Sequence, residues 1–175
     1  AGVCDGGGES QVGGNLADPS GVDGGCGDDR LDGGAGNHII IGGAGNERLI
    51  GGSGRDLLVG GDGADGLVGH SGEDLLIGGW TVYDTNYAAL RAIMTEWSRT
   101  DSANGTYEKR RDHLRGTAVG GLNAGFLLTP GPSGTVRDDH AVDNLGGRSG
   151  RALSFAHFAG GLVGGVLCTL VWRAP

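Results

Sequence analysis

A nine-residue repeat between residues 24 and 79 constrains the fold of this 175-residue chain more than any other feature. Six copies follow one another without insertion, as GGCGDDRLD, GGAGNHIII, GGAGNERLI, GGSGRDLLV, GGDGADGLV and GHSGEDLLI. The first and fourth positions are always Gly, the eighth is always Leu or Ile, and the sixth is most often Asp. Self-similarity at a fixed short period is typical of stacked repeats that bury their apolar side chains against one another.

One repeat combines a glycine-rich turn with a three-residue strand. Glycine readily adopts positive φ angles, so such a turn can direct backbone carbonyl oxygens inward, beside the carboxylate of the sixth residue. Oxygen ligands of this kind suit calcium better than zinc or copper. Two repeats make one flattened coil, and stacked coils bury a ladder of eighth-position side chains. This ladder consists of Leu31, Ile40, Leu49, Leu58, Leu67 and Leu76.

The pattern GGxGxDxUx, with U a large apolar residue, resembles the RTX (repeats-in-toxin) calcium-binding nonapeptide. The resemblance implies a mainly β fold, a parallel β-roll of the RTX solenoid type, with Ca²⁺ held in the turns. It also implies secretion from a bacterium, to the extracellular medium or the cell surface, but no single activity. The metal-site residues it implies are Asp29, Glu47, Asp56, Asp65 and Asp74, with Gly52, Gly54, Gly61, Gly63 and Gly72.

Because two repeats form one coil, the sixth-position side chains of alternate repeats should stack along the same edge of the roll. One edge then carries Asp29, Glu47 and Asp65, and the other carries His38, Asp56 and Asp74. Two aspartates are neighbours only at Asp56 and Asp74, so we expect the tightest calcium site there, with carbonyl oxygens from the turn glycines. His38 supplies no oxygen, and a site between it and Asp56 should be weak or empty.

The strand positions that flank the buried eighth residue face outward, and they differ between the two sheets. Odd-numbered repeats present a mixed surface of Arg30, Asp32, Arg48, Ile50, Gly66 and Val68. Even-numbered repeats present a wholly aliphatic surface, here called the even face, of Ile39, Ile41, Leu57, Val59, Leu75 and Ile77. A contiguous apolar patch of this kind marks a covered or interacting surface. Self-association or a partner protein on the even face is therefore one expectation, and cover by the chain itself is the other.

The chain after Gly79 predicts helices. Leu90, Ile93, Met94 and Trp97 recur at helical spacing between residues 84 and 99, with Asp84 or Thr85 available to cap the start. We expect this amphipathic helix to dock across the even face, with Trp97 shielding part of it. A short basic helix is expected over residues 106–116, either with a solvated face or in contact with an acidic surface or lipid headgroups.

Composition divides the chain into four segments: degenerate repeats or an irregular cap at 1–23, the roll at 24–79, a helical segment at 80–116, and an irregular strand-and-turn region at 117–175. In the last segment, residues 146–155 begin like another repeat, with an extra residue and no Asp, and should not bind calcium. Residues 152–172 are long enough to span a bilayer, but their glycines favour a buried strand or helix, or an aberrant tail.

Charge and motifs disfavour several classes of function. The net charge is −8, and residues 24–79 carry nine acids and three bases, so nucleic acid is not expected as a partner. HExxH and GxSxG motifs are absent from the sequence, and no catalytic residue is predicted. Three cysteines make no disulfide framework, and Cys26 is interpreted as a tolerated turn residue.

The predicted function is a calcium-binding β-roll module of a secreted or surface bacterial protein, which folds on calcium binding and serves export, stability or adhesion. One alternative is the C-terminal fragment of a secreted hydrolase or toxin whose active domain precedes Ala1. A metal-free fibre and a membrane-anchored surface piece are the others.

Overall fold

The computed structural model describes residues 10–12, 21–147, 149 and 151–155, and parallel β-strands dominate them. The strands are β1 Ser10–Val12, β2 Val22–Cys26, β3 Arg30–Asp32, β4 Ile39–Ala44, β5 Arg48–Ser53, β6 Leu57–Asp62, β7 Gly66–Ser71, β8 Glu73–Ile77, β9 Trp80–Thr81, β10 Val136–Arg137, β11 Asn144–Gly146 and β12 Arg151–Phe155. The helices are α1 Tyr87–Trp97 and α2 Tyr107–Leu114.

Alternate strands belong to two parallel sheets, in the orders β1-β3-β5-β7-β11 and β2-β4-β6-β8-β12. Within the repeats, each residue pairs with its equivalent two repeats later, as Leu49 does with Leu67 and Leu58 with Leu76. This register confirms the predicted parallel β-roll with two repeats in each coil. Its buried interior contains Leu31, Ile40, Leu49, Leu58, Leu67 and Leu76.

The roll begins before Gly24. In β2, Val22 pairs with Ile40 and packs partly against the interior, so it occupies the eighth position of an additional repeat. Strand β1 pairs with β3, with Gln11 opposite Leu31. A strict continuation of the repeat would instead place residue 13 opposite Leu31. The chain between β1 and β3 is therefore slightly longer than one regular coil.

The roll also resumes after a long insertion. Strands β11 and β12 pair with β7 and β8, with Leu145 opposite Leu67 and Phe155 opposite Ile77. In an uninterrupted array the strand next to β7 would follow directly after β8, but here helices α1 and α2 come first. We call the inserted residues 78–137 the cap. The two-residue antiparallel pair of β9 and β10 holds the start and end of the cap together.

This register corrects the predicted reading of residues 146–155. Arg151 pairs with Glu73 and Phe155 pairs with Ile77, so the repeat begins at Gly147 and contains no extra residue. Ala152 occupies the sixth position, opposite Asp74. The lack of a carboxylate at that position agrees with the sequence reading.

The cap covers the even face. Leu57, Val59 and Leu75 lie in one buried cluster with Leu90 and Trp97 of α1, as the docking prediction requires. The same cluster takes in α2 and the end of the cap through Tyr107, Leu114, Leu128 and Val136. All six even-face side chains are at most 6 % exposed. Of the two expectations for this face, cover by the chain itself is the one that the structure shows.

The helix start differs from the prediction. Helix α1 begins at Tyr87, and the side chain of Asn86 caps it by accepting a hydrogen bond from the Ala89 backbone N–H. Asp84 does not cap the helix, because its carboxylate accepts hydrogen bonds from the backbone N–H and hydroxyl of Thr81. The carboxylate thus stabilises the turn that leads from β9 into α1.

The basic helix presents the predicted solvated surface only in part. Arg110 of α2 is fully buried and donates hydrogen bonds to the Glu73 carboxylate and the Trp97 carbonyl. Its guanidinium carbon lies 5.0 Å from the centroid of the Trp97 ring. Lys109 is exposed, as predicted for such a face. One arginine therefore joins the cap to the roll.

Two further expectations concern Cys26 and the apolar tail. Cys26 is disulfide-bonded, which corrects its interpretation as a tolerated turn residue. Residues 152–155 complete β12, and the remainder of the 152–172 segment lies outside the described residues. Among the described residues, no helix has the length and hydropathy needed to cross a bilayer.

Candidate metal centre

The sixth-position side chains form two buried ladders, one along each edge of the roll. On one edge the backbone N–H of His38 donates to Asp56 Oδ1 at 2.8 Å, and that of Asp56 donates to Asp74 Oδ1 at 3.1 Å. On the other edge the Glu47 N–H donates to Asp65 Oδ1 at 2.9 Å. Each of these side chains is at most 3 % exposed. Five of the six sixth-position side chains of the array are therefore stacked on the two edges as the repeat register predicts.

Among the described residues, three aspartates of these ladders each have one carboxylate oxygen without a hydrogen-bond partner. This holds for Oδ2 of Asp56, Asp65 and Asp74, all of them buried. Both carboxylate oxygens of Glu47 are also buried, with no hydrogen-bond partner from the described residues. A buried carboxylate oxygen without a donor is costly unless a cation compensates its charge. The ladder geometry thus fits a bound metal ion.

The first glycine of each repeat provides space for the unpartnered oxygen. A Cβ atom on Gly51, Gly60 or Gly69 would overlap Oδ2 of the aspartate five positions later. The backbone at these positions is not in the positive-φ region. Glycine is therefore required here because a larger residue would not fit, and not because of its conformational freedom. The sequence alone does not distinguish these two reasons.

The fourth glycine is required both by conformation and by the neighbouring turn. Gly54, Gly63 and Gly72 have φ angles of 127°, 130° and 125°. A Cβ atom on any of them would overlap the carbonyl oxygen of the equivalent glycine in the preceding coil. The second-position glycines Gly52 and Gly61 show the same combination. Consecutive turns on each edge are thus packed backbone against backbone.

Two residues depart from the repeat consensus at these edges. The His38 ring stands where other repeats carry a carboxylate, with Nδ1 2.8 Å from Asp56 Oδ1. His70 replaces the second glycine of the sixth repeat and still adopts a φ of 72°. The turn beside Asp74 therefore keeps its left-handed conformation despite the side chain.

Burial raises the pKa of several ladder carboxylates. The pKa of Asp74 is raised to about 7, and those of Asp56 and Asp65 are also raised. Burial and the neighbouring Asp65 carboxylate raise the pKa of Glu47 to about 9. These shifts show that negative charge on the ladders is unfavourable without a cation.

Side chains at the fifth position of the repeats form further hydrogen-bonded ladders, which were not predicted. Asp28 Oδ1 accepts a hydrogen bond from the Asn46 N–H at 2.7 Å, and Asn46 Oδ1 accepts one from the Ala64 N–H at 3.0 Å. On the other edge, Asn37 Oδ1 accepts from the Arg55 N–H at 2.8 Å. In the sequence, these contacts are indicated by Asp or Asn at the fifth position of the first three repeats, since both residue types often form hydrogen bonds with nearby backbone groups.

Asp143 also occupies a sixth position, although it is not among the metal-site residues that the sequence predicts. Its Oδ1 accepts a hydrogen bond from the Asp65 N–H at 3.0 Å, which continues the ladder beyond the cap. The side chain is 5 % exposed, its Oδ2 has no hydrogen-bond partner among the described residues, and burial raises its pKa to about 7. In the sequence, this repeat could be detected because Asp143 and Leu145 have the spacing of the sixth and eighth positions and are followed by Gly147.

The ligand set that the turns offer consists of carboxylate and backbone oxygens. Within the described residues, no three His, Cys, Asp or Glu side chains form a group that could hold a metal ion. A cation between two turns would therefore take most of its ligands from carbonyl groups. Calcium accepts such mixed oxygen coordination, with six to eight ligands and flexible geometry.

The raised pKa values predict how the metal-free roll responds to pH. Asp74 and Asp143 titrate near pH 7 in the folded roll, against an ordinary value of about 4. The folded state therefore binds more protons than the unfolded chain, and its stability is lost as pH rises from about 4 to 7. In EDTA, circular dichroism should show more β-structure at pH 5 than at pH 8. Equal or greater β-structure at pH 8 would contradict this.

Comparison with known families agrees with this geometry. The RTX calcium-binding nonapeptide repeat (4 copies) matches residues 23–58 and again residues 41–76. No curated protein and no solved structure matches the chain. Calcium is the ion that repeats of this family bind. The stacked turns, the buried carboxylates and this match together identify residues 23–76 as a member of the RTX calcium-binding nonapeptide repeat family.

Proposed function

We propose that this chain is a module of a secreted or surface bacterial protein that folds when calcium binds in the extracellular medium. In this proposal the module supports export, stability or adhesion, and its own role is binding rather than catalysis. The observation that carries the proposal is the pair of buried carboxylate ladders, in which Asp56, Asp65 and Asp74 each hold an oxygen without a hydrogen-bond donor.

The charge of the roll opposes folding in the absence of a cation. Residues 24–79 carry a net charge of −6, from nine acids and three bases. Folding moves several of these carboxylates into buried positions, where an uncompensated charge costs several kcal/mol. Calcium compensates the charge in the folded state alone, so its binding free energy becomes folding free energy.

Calcium concentration would then decide where the module folds. Extracellular calcium modules have Kd values on the order of 10⁻⁴–10⁻³ M. A roll in this range remains unfolded at the low calcium concentration of a cytosol and folds outside the cell. An unfolded chain also passes a narrow export channel more easily than a folded roll, which supports a role in export.

Within the array we assign the tightest repeat-to-repeat site to Asp56 and Asp74, with carbonyl oxygens from Gly52, Gly54 and Gly72. Both aspartates are fully buried and both keep Oδ2 unpartnered. The neighbouring pair of His38 and Asp56 contains a single carboxylate, and the His38 ring already contacts it. That pair should bind calcium weakly or not at all.

A calcium titration tests the proposed function. The full chain in EDTA should show a far-ultraviolet circular dichroism spectrum of a largely disordered chain, and β-structure should appear with a midpoint on the order of 10⁻⁴–10⁻³ M calcium. Magnesium at the same concentrations is the control, since its strict octahedral geometry and slow dehydration disfavour carbonyl-rich turns. A spectrum in EDTA equal to that in millimolar calcium would refute calcium-dependent folding.

A further inference from the structure

We infer that a calcium ion binds between Asp65 and Asp143 and joins the part of the roll before the inserted cap to the part after it. This inference rests on the proposed function, because it assigns one more ion to the same kind of turn. It goes beyond the family match, which ends at residue 76 and includes no residue after the cap. The two aspartates are far apart in sequence, and each lies immediately before one of the paired strands β7 and β11.

The geometry of this pair repeats that of Asp56 with Asp74. In both pairs the backbone N–H of the first aspartate donates to Oδ1 of the second, at 3.0 Å across the cap and 3.1 Å within the array. Asp65 and Asp143 are 2 % and 5 % exposed. Oδ2 of each is buried and has no hydrogen-bond partner in the part of the chain that the structure describes.

Other carboxylates near Asp65 and Asp143 make a bound cation more favourable. Asp139 approaches the same turn and accepts a hydrogen bond from the Gly63 N–H through Oδ2, at 2.7 Å. Equivalent fourth-position N–H groups elsewhere donate to a backbone carbonyl, as Gly45 does to Asp62. A carboxylate thus replaces a neutral acceptor at this corner. Asp62 and Asp139 add further negative charge near Asp65.

Strand β11, the first strand after the cap, makes only short pairing and partly buried contacts on this edge. Strand β11 has three residues, and its Leu145 is only partly buried against the interior. The base of the cap is closed by the two residue pairs of β9 and β10. An ion that bridges the turns of Asp65 and Asp143 would therefore stabilise the return of the chain from the cap to the roll.

The variant Asp143→Asn tests the inference in the full chain. Asparagine keeps an oxygen that can accept the Asp65 N–H and removes the charge. Native mass spectrometry with calcium alone should count one ion fewer than in the wild type. At calcium concentrations about ten times the Kd, amide hydrogen exchange at residues 144–146 should be about tenfold faster.

Two control variants separate this site from its neighbours. Asp74→Asn should also lose one ion, but on the opposite edge, and exchange at residues 144–146 should stay close to that of the wild type. Asp138→Asn removes the same charge near the site, from a side chain whose carboxylate lies 3.1 Å from His140 Nδ1. It should retain the full number of ions.

The outcomes distinguish this inference from the proposed function. If the wild type binds no calcium, the proposed function fails and the site with it. If the wild type binds calcium while Asp143→Asn keeps the same ion count and exchange, only the inference is overturned. Wild-type exchange decides the question even if the variant does not fold. Calcium must slow exchange at residues 144–146 as well as within the repeats, and slowing confined to the repeats overturns the inference.

Discussion

Replacement of Gly63 by alanine is expected to unfold the roll. Gly63 has a φ of 130°, a region that residues with a Cβ rarely adopt, and a Cβ there would overlap the Gly45 carbonyl oxygen of the preceding coil. Backbone strain of this kind costs about 1–3 kcal/mol on its own, and forcing the two turns apart adds to it. Urea denaturation in saturating calcium should therefore show a loss of stability of at least about 3 kcal/mol.

Gly131→Ala is the matched control for this prediction. Gly131 has a φ of 116°, close to that of Gly63, but apart from its two chain neighbours no described residue has an atom within 4 Å of a Cβ placed on it. The control therefore measures conformational strain without the clash between turns, and we expect a loss of about 1–2 kcal/mol. Equal losses in the two variants would show that close packing of the turns contributes nothing.

The roll was predictable because its determinants are local and repeated. A strict nine-residue period fixes which side chains face inward, which stack on each edge and which form the even face. The same pattern predicted the docking of α1. The even face is too apolar to be exposed to water, and the apolar stripe of α1 is the nearest surface in sequence that can cover it. Each of these predictions depends on segments that lie close to one another in the sequence.

The return of the chain to the roll was predictable only in part, since residues 146–155 resemble a repeat but the pairing of β11 with β7 does not follow from that resemblance. After the cap, the turn before Asp143 lacks the GGxG sequence, and only the spacing of Asp143, Leu145 and Gly147 survives. Three residues at the correct spacing are too weak a signal by themselves. The pairing of β11 with β7 joins segments separated by the whole cap, and it becomes evident only once both strands are placed side by side.

The sequence also could not predict which charged side chains of the cap are buried. A run of basic residues is most often solvated, and nothing in the spacing of α2 singles out Arg110. Its position depends on Glu73 in β8, a distant residue in the sequence, and on the aromatic ring of Trp97. The same limit applies to Glu96 and His113, which form a buried contact between α1 and α2 at 2.6 Å.

Replacement of Trp97 by alanine is expected to detach the cap from the even face. Trp97 is fully buried, and its ring lies between the aliphatic sheet, Tyr107 and the guanidinium of Arg110. Its Nε1 also donates a hydrogen bond to the Glu73 carbonyl at 2.6 Å. Removing a buried tryptophan side chain costs about 3–5 kcal/mol, which should appear as a lower urea midpoint in saturating calcium.

The variant Trp97→Phe separates the two contributions of this side chain. Phenylalanine keeps most of the apolar contact but leaves the Glu73 carbonyl without its donor, so we expect a loss of about 1 kcal/mol. In Trp97→Ala the six aliphatic side chains of the even face lose part of their cover, and an exposed patch of this kind promotes association. Size-exclusion chromatography should then show oligomers for Trp97→Ala and a monomer for Trp97→Phe. If both variants match the wild type in urea midpoint and elution volume, Trp97 does not hold the cap on the roll.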